Sequence, residues 1–372
     1  MSLSVLIAGG GTGGHLYPGI AVARELLARA PDTQVAFVGT AAGIEARVIP
    51  REGFALDLIR AAGLKGKSTQ AFLRGMTLLP LGGRDAWGVI TRRRPSVVVG
   101  VGGYSSGPVV LLAALRGVPT MLMEQNVVPG LTNRLLAPVV SAAAVTYEES
   151  VRFFGSKAFV SGNPVRPEFI DRRDTPVSSD PRERRVAQES SPGGTVRILV
   201  FGGSQGAHAI NVAMVEAAAR LAGATPRVQV THQTGERDLE MVRDGYRRAG
   251  LEARVEPFLY EMNHEMRAAD LVVCRAGATT LAELAASGKA SILVPFPAAT
   301  DDHQRRNAAA LVKQGAALMV VERELSGDRV AAEILGLARD AARRDQIGEA
   351  VRRMARPDAA RVIAEKVMAL AR

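Results

Sequence analysis

The chain has 372 residues, 47% of them hydrophobic and 23% charged, with a formal net charge of +10 and one cysteine. That length allows two domains with separate cores, the composition excludes disordered and collagen-like classes, and a lone Cys274 excludes an internal disulfide framework. No apolar run approaches the roughly 18 residues needed to cross a bilayer, and no basic-then-apolar leader is visible, so a cytosolic or surface-attached protein is expected.

In chain order, the first half alternates short apolar runs with helical patterns. Strands are expected at 4–8, 34–38, 55–59, 97–101, near 119–123 and at 142–145; helices at 18–29, near 43–51, within 68–92 and at 107–116. The stretch from Arg172 to Gly194 is charged, Pro/Ser-rich and nearly without large apolar residues, which reads as a linker. The alternation then resumes, with strands near 196–201, 228–232, 254–257, 271–274, 291–295 and 317–321 and a last helix after Pro357. The organisation expected is a first domain over 1–162, a linker over 163–195, a second domain over 196–356 and a tail helix over 357–372. Cys274 ends an apolar run and reads as an inert core thiol.

The two halves begin alike. Val5-Leu6-Ile7-Ala8 runs into Gly9-Gly10-Gly11-Thr12-Gly13-Gly14 and a helical pattern, and 193 residues later Ile198-Leu199-Val200-Phe201 runs into Gly202-Gly203-Ser204-Gln205-Gly206-Ala207 and another. An apolar strand, a turn that only glycine can make and an amphipathic helix open a Rossmann-type unit. Two such openings predict an α/β fold of two Rossmann-like domains with parallel sheets facing across a cleft, with anion-receptive helix N-termini beside it.

Several motifs bear on the ligand. Gly9-x-Gly11-x-x-Gly14 fits a dinucleotide loop, but the second strand ends in Gly39-Thr40, and Glu45 comes too late to hold a ribose, so a nicotinamide cofactor is not expected. Gly66-Lys67-Ser68 imitates a phosphate-binding P-loop but lacks the leading glycine, since position 61 is Ala61. A second cluster, Gly100-Val101-Gly102-Gly103-Tyr104-Ser105-Ser106-Gly107-Pro108, follows Val97-Val98-Val99. With the first it forms either a ligand cradle or a tight strand–helix packing.

His15 stands at the helix start, where an imidazole can take a proton from a hydroxyl or simply cap the helix. His208 holds the corresponding place in the second copy, so position alone does not decide. Arg275-Ala276-Gly277-Ala278-Thr279-Thr280-Leu281-Ala282-Glu283 suits a diphosphate, with Glu283 able to accept from two ribose hydroxyls. Asp301-Asp302-His303 looks superficially like a metal site, but the spaced Asp-x-Asp pair of metal-dependent sugar transferases is absent, and no metal or other cofactor is expected.

Taken in order, Gly10-Gly11-Thr12-Gly13-Gly14-His15, Gly102–Pro108, Glu124-Gln125-Asn126, Gly162-Asn163-Pro164-Val165-Arg166, Gly202–Ala207, His232-Gln233-Thr234-Gly235 and Asp301-Asp302-His303-Gln304 closely resemble the MurG family over essentially the whole chain. These are bacterial UDP-N-acetylglucosamine transferases that convert lipid I to lipid II in peptidoglycan synthesis. The resemblance implies a GT-B fold with a C-terminal helix returning to the first domain. It implies an inverting, metal-independent transfer to the 4-hydroxyl of undecaprenyl-diphospho-N-acetylmuramoyl-pentapeptide, at the cytoplasmic membrane face.

It also implies site residues. Glu283 would hold the ribose, the backbone near Leu259 would read uracil, and Ser204 with Ala278, Thr279, Thr280, Leu281 and Ala282 would meet the diphosphate. Gln304 would touch the sugar, with Asn126 and Arg166 completing the site and Thr12, Gly13 and Gly14 facing the donor from the first domain. His15 becomes the leading general base, with Glu124 as a second candidate. His208 departs from the arginine usual at that place, which leaves its role open.

Partners follow from charge as well. Residues 1–162 hold 16 Lys/Arg against 9 Asp/Glu, so seven of the ten net charges lie in the first half, which favours an anionic partner. Aromatics are only 4% and no basic–aromatic strand occurs, which argues against nucleic acid. Phe72, Leu73, Met76 and Leu79 recur at helical spacing among Lys65, Lys67, Arg74, Trp87, Arg84 and Arg92-Arg93-Arg94, a pattern fitting either core packing or an anionic membrane surface. The lipid-linked acceptor favours the membrane. The alternatives are a UDP-N-acetylglucosamine 2-epimerase on the same fold, a non-catalytic nucleotide-sugar binder and, more remotely, a dehydrogenase.

Overall fold

The structure is a computed structural model that describes residues 3–61, 69–170, 194–203 and 206–371, with residues 69–79 and 300 described by backbone alone. The chain divides into two compact units, one of residues Met1–Pro167 and Arg356–Arg372, the other Glu168–Ala355.

The first unit is built on β1 (Ser4–Gly9), β2 (Gln34–Gly39), β3 (Ala55–Leu58), β4 (Val97–Gly102), β5 (Thr120–Glu124), β6 (Ala142–Val145) and β7 (Ala158–Val160). Every pairing is parallel, in the order β3-β2-β1-β4-β5-β6-β7. Strands buried on both faces need continuous apolar runs, and β4 and β5 are buried along their whole lengths. On one face α1 (Gly13–Arg29) and α13 (Ala359–Leu370) pack, with Leu16, Ile20, Ile363 and Val367 meeting Val5 and Ile7 in one core. On the other, α3 (Thr69–Arg93), α4 (Ser106–Leu115) and α5 (Leu131–Leu136) cover Leu6, Val98 and Leu122. The short α2 (Glu45–Arg51) lies between β2 and β3.

The second unit repeats the plan with β8 (Val196–Phe201), β9 (Val228–Gln233), β10 (Ala253–Glu256), β11 (Leu271–Cys274), β12 (Ser291–Leu293) and β13 (Leu318–Met319), parallel in the order β10-β9-β8-β11-β12-β13. Its helices are α6 (His208–Ala222), α7 (Leu239–Ala249), α8 (Met262–Ala268), α9 (Ala278–Ser287), α10 (His303–Lys313), α11 (Gly327–Arg339) and α12 (Ala341–Arg353). Cys274 is fully buried at the end of β11, and burial pushes its thiol pKa up, with the Glu283 charge adding to the effect. It is the inert core thiol expected.

In each sheet the strand order reverses beside the first strand, at β1/β4 and at β8/β11. Ligands of open α/β sheets bind at this switch, outside the carboxyl ends of the strands. Three local expectations need correction. α1 begins at Gly13, five residues before the expected start, and runs through Pro18, so His15 stands on its first turn. The pattern in 68–92 is one helix through Pro80. The side chains of Phe72, Leu73, Met76 and Leu79, with Lys65, Lys67 and the linker stretch 171–193, lie outside the described residues. β7 and α5 had no counterpart in the sequence reading, being three and six residues long.

Candidate active site

In the first unit the two glycine loops at the switch point meet backbone to backbone. Gly10 N–H donates to Gly102 O at 3.2 Å, and a Cβ on Gly103 would fall 2.4 Å from Gly10 O. Only glycine permits that approach. The carboxylate of Glu45 is buried against the first loop. It accepts from Gly11 N–H at 2.8 Å, Thr40 N–H at 2.9 Å and Thr40 Oγ1 at 3.0 Å. The dinucleotide-like loop thus already holds an internal anion where a phosphate would otherwise sit.

Past that loop, α1 starts with Thr12 as its extended N-cap residue, without a side-chain cap and without an acidic residue in the first turn. Such a start is receptive to anions. His15 lies over Gly102, where a Cβ would come 2.8 Å from Nδ1, and Nδ1 is 3.1 Å from Gln125 Oε1. The Gln125 amide is buried and donates Nε2–H to Val101 O at 3.2 Å. Gly102 and Gln125 therefore bound the ring on two sides.

Glu124 does not look like a proton acceptor in this setting. Oε1 accepts from Asn126 N–H at 2.9 Å and Asn126 Nδ2 at 3.0 Å; Oε2 accepts from Gly130 N–H at 3.1 Å and Asn133 Nδ2 at 2.8 Å. Four donors on a buried carboxylate make it the brace of the 124–133 loop. Asn126 is held by that brace, and its carbonyl accepts from Ser150 Oγ at 2.9 Å. Arg166 stacks its guanidinium over Tyr17, 5.3 Å from the ring centroid, two residues beyond His15.

In the second unit Gln233 plays the organising part. Its Nε2 donates to Gly203 O at 2.8 Å and its Oε1 accepts from Leu259 N–H at 2.9 Å, joining the first glycine loop to the loop after β10. Leu259 thus uses its N–H internally and can read a base only through its carbonyl. Ser204 lies outside the described residues. α9 opens at Gly277 with neither a side-chain cap nor a first-turn acid. Ala278, Thr279, Thr280 and Ala282 are half-buried on it, whereas the Leu281 side chain belongs to the core and can offer only its backbone. Glu283 is buried on the same helix.

Arg275, just before α9, pairs with Glu322 at 2.5 Å, donates to Val294 O and Pro295 O at 3.2 and 3.3 Å, and lies over the Phe296 ring. Gln304 Oε1 accepts from Phe296 N–H at 2.9 Å, so its Nε2 is the group left to face a sugar. Ahead of it, Asp301 and Asp302 both sit at positive φ (56° and 55°), a conformation costly for non-glycine residues. Among the described residues no group of three His, Cys, Asp or Glu side chains is gathered as a metal centre.

A chain of hydrogen bonds runs from the exposed His208 into the core of the second unit. His208 Nδ1 meets Asp238 at 2.9 Å, Asn211 Nδ2 donates to Asp238 at 2.8 Å, Asn211 Oδ1 accepts from His232 Nε2 at 3.0 Å, and Tyr246 OH is 2.7 Å from His232 Nδ1. Burial alone would raise the Asp238 carboxyl, but the Asn211 and His208 hydrogen bonds and nearby positive charge hold it below the ordinary value.

Comparison with known proteins fixes the kind of enzyme. The description of the glycosyltransferase family 28 N-terminal domain matches residues 5–145, and that of its C-terminal domain matches residues 197–363. The chain belongs to glycosyltransferase family 28. It is 51% identical, over 98% of its length and 99% of the relative's, to the UDP-N-acetylglucosamine--N-acetylmuramyl-(pentapeptide) pyrophosphoryl-undecaprenol N-acetylglucosamine transferase of Pelobacter propionicus. It is 47% identical to the enzyme of the same name from Anaeromyxobacter sp., over its whole length and 94% of the relative's. The crystal structure of Acinetobacter baumannii MurG matches with a TM-score of 0.78 at 27% identity, covering 99% of each chain. The MurG resemblance, the GT-B class and the assignment as a glycosyltransferase are therefore borne out. UDP-N-acetylglucosamine 2-epimerase from Neisseria meningitidis, at 14% identity and a TM-score of 0.66 over 99% of this chain and the whole of that one, shares the fold alone.

For this family 28 glycosyltransferase, the first unit gathers Thr12, Gly13, Gly14, His15, Glu124, Asn126 and Arg166 around one switch point. The second gathers Ala278–Glu283, Gln304 and Leu259 around the other. The sequence reading missed Glu45, Gln125, Gln233 and Asn211. The first three lie within or beside motifs already singled out, but apart from Thr40 beside Glu45 their partners are 24 to 110 residues away in sequence, which no local spacing discloses.

Proposed function

We propose that this glycosyltransferase moves N-acetylglucosamine from UDP-N-acetylglucosamine to the 4-hydroxyl of the N-acetylmuramoyl unit of undecaprenyl-diphospho-N-acetylmuramoyl-pentapeptide, the lipid I to lipid II step of peptidoglycan synthesis. The observation that carries the reading is the 51% identity, end to end, with a transferase named for that reaction.

The second unit holds the donor. Glu283 accepts from the ribose hydroxyls, the Leu259 carbonyl reads uracil, Ser204 and the backbone of Ala278–Ala282 meet the diphosphate, and Gln304 offers Nε2 to the sugar. The first unit supplies the base, with Thr12, Gly13, Gly14 and Asn126 positioning the reacting groups. His15 takes the proton of the acceptor hydroxyl as its oxygen bonds to C1 of the sugar. The C1–O bond to the diphosphate breaks with its electron pair leaving on UDP, and attack opposite the leaving group inverts C1. Charge developing on UDP is met by the N-terminal end of α9 and by Arg166.

The lipid-anchored acceptor places the reaction at a membrane face. Among the described residues no helix is long and apolar enough to cross a membrane. The layer of α3, α4 and α5, with the turn that follows α5, instead exposes Trp87, Leu111, Leu115, Leu131, Leu135 and Val139, with Arg116 4.6 Å above the Trp87 ring. An apolar face rimmed by cations suits anionic lipid and peripheral attachment at the cytoplasmic side.

UDP release measured with UDP-N-acetylglucosamine, with and without a lipid I analogue, tests the reading. Release is expected only with acceptor, and His15→Ala should lose turnover by about 10²-fold or more while binding UDP as before. Formation of the manno epimer without acceptor would establish the epimerase instead.

A further inference from the structure

We infer that Gln125 is a positioning residue that fixes the neutral His15 ring as its Nδ1–H tautomer, so that Nε2 is the atom that takes the acceptor's proton. The inference rests on His15 being the base and goes beyond that reading by naming the atom and the side chain that selects it.

The polarity follows from the network. The Val101 carbonyl can only accept, so the Gln125 amide must turn Nε2 toward it, at 3.2 Å. The opposite orientation would set two oxygens against each other in a buried site. Oε1 is thereby committed to His15 Nδ1 at 3.1 Å, and an amide oxygen has no proton to give. The hydrogen between them belongs to Nδ1, which leaves the lone pair of the neutral ring on Nε2. Gln125 is 2% exposed, so water does not compete for either of its ends.

The ring packs against Gly102, whose missing side chain leaves room for it. That residue has φ +99°, and a Cβ there would stand 2.8 Å from Nδ1. The partner's neutrality also matters. A carboxylate in this place would favour the imidazolium, which cannot act as a base, and would add negative charge where an anionic diphosphate substrate approaches. An amide orients the ring without either effect.

The test is ¹⁵N NMR of the free enzyme at neutral pH, with the His15 signals assigned by their loss in His15→Ala. Wild type should show a protonated Nδ1 and an unprotonated Nε2. Gln125→Met should move the ring toward the Nε2–H form favoured in water and lower kcat about 10–100-fold, with the KM for UDP-N-acetylglucosamine unchanged. Gln125→Glu, whose carboxylate favours the imidazolium, should instead show both ring nitrogens protonated and should not recover kcat. A wild-type ring protonated on Nε2, or a Gln125→Met ring still protonated on Nδ1, overturns the inference whatever the variant's activity. Full turnover in His15→Ala would instead sink the base assignment, a result the tautomer measurement cannot produce.

Discussion

His232 should make the second unit acid-sensitive in a window that opens well above the range where carboxylates titrate. The ring is fully buried, and burial depresses its pKa from 6.5 to about 3, with the Asp238 charge only partly opposing that effect. A histidine whose folded pKa lies below its unfolded value binds its proton first in the unfolded chain. Stability is therefore intact above pH 6.5 and falls as the pH drops from there toward 3. Each pH unit in that interval costs about 1.4 kcal/mol, or about 2 kcal/mol between pH 7.5 and pH 5. Asp238 contributes in the same direction only below its own unfolded value near 3.8, so of these two groups His232 alone acts above that pH. Trp87 belongs to the first unit and would report on the wrong part of the molecule. Hydrogen exchange in peptides spanning Val228–Gln233, followed against urea at pH 7.5 and pH 5, reads the right one. Wild type should lose about 2 kcal/mol more over that interval than His232→Gln, which keeps an N–H for Asn211 but cannot be protonated. Equal losses in the two proteins would mean that His232 is charged or solvated in the native state, and the burial argument would be wrong. The consequence reaches the donor loops, because the neighbouring Gln233 joins Gly203 to Leu259.

Glu45→Ala should destabilise the first unit by about 3 kcal/mol, since it orphans the Gly11 and Thr40 donors around a buried site. Glu45→Gln, which keeps an acceptor for Thr40, should cost about half as much, and neither should change the KM for UDP-N-acetylglucosamine; thermal melts with steady-state kinetics check both. Leu115 and Leu135 are each 70% exposed, so replacing both with serine should leave the melting temperature unchanged while lowering partition onto anionic vesicles on the order of 10²-fold, at roughly 1.5 kcal/mol per lost leucine. Unaltered vesicle binding would move the membrane surface elsewhere on the molecule.

The fold could be read largely because its evidence is local. A parallel strand buried on both faces must be an unbroken apolar run, and the turn from its end into a helix must be made by glycine, so β1, β4 and β8 were visible with their loops. Segments whose identity comes only from what they pack against were not. β7 has three residues and no periodicity to display. α1 begins at Gly13 because two glycines accept helical geometry as readily as a loop, leaving Pro18 as a misleading start signal. The same division runs through the site. Motif spacing singled out His15, Glu283 and Gln304 as candidates, but could not tell a carboxylate waiting for a proton from one already saturated.

Glu124 and Glu45 make the point from opposite directions. Glu124 is the second candidate base among the first-half polar groups, yet its lone pairs are spent, two on Asn126 and two more on Gly130 and Asn133 as the loop curls back. Glu45 was set aside because it comes too late in sequence to hold a ribose, yet it fills the anion seat of the first loop from 34 residues away. Between the braced Glu124 and Asn126, one residue past the end of β5, Gln125 turns toward Val101 and His15. A residue with no acid–base chemistry of its own thereby becomes the one that decides which nitrogen of the base can act, and only the three-dimensional donor count around it makes that visible.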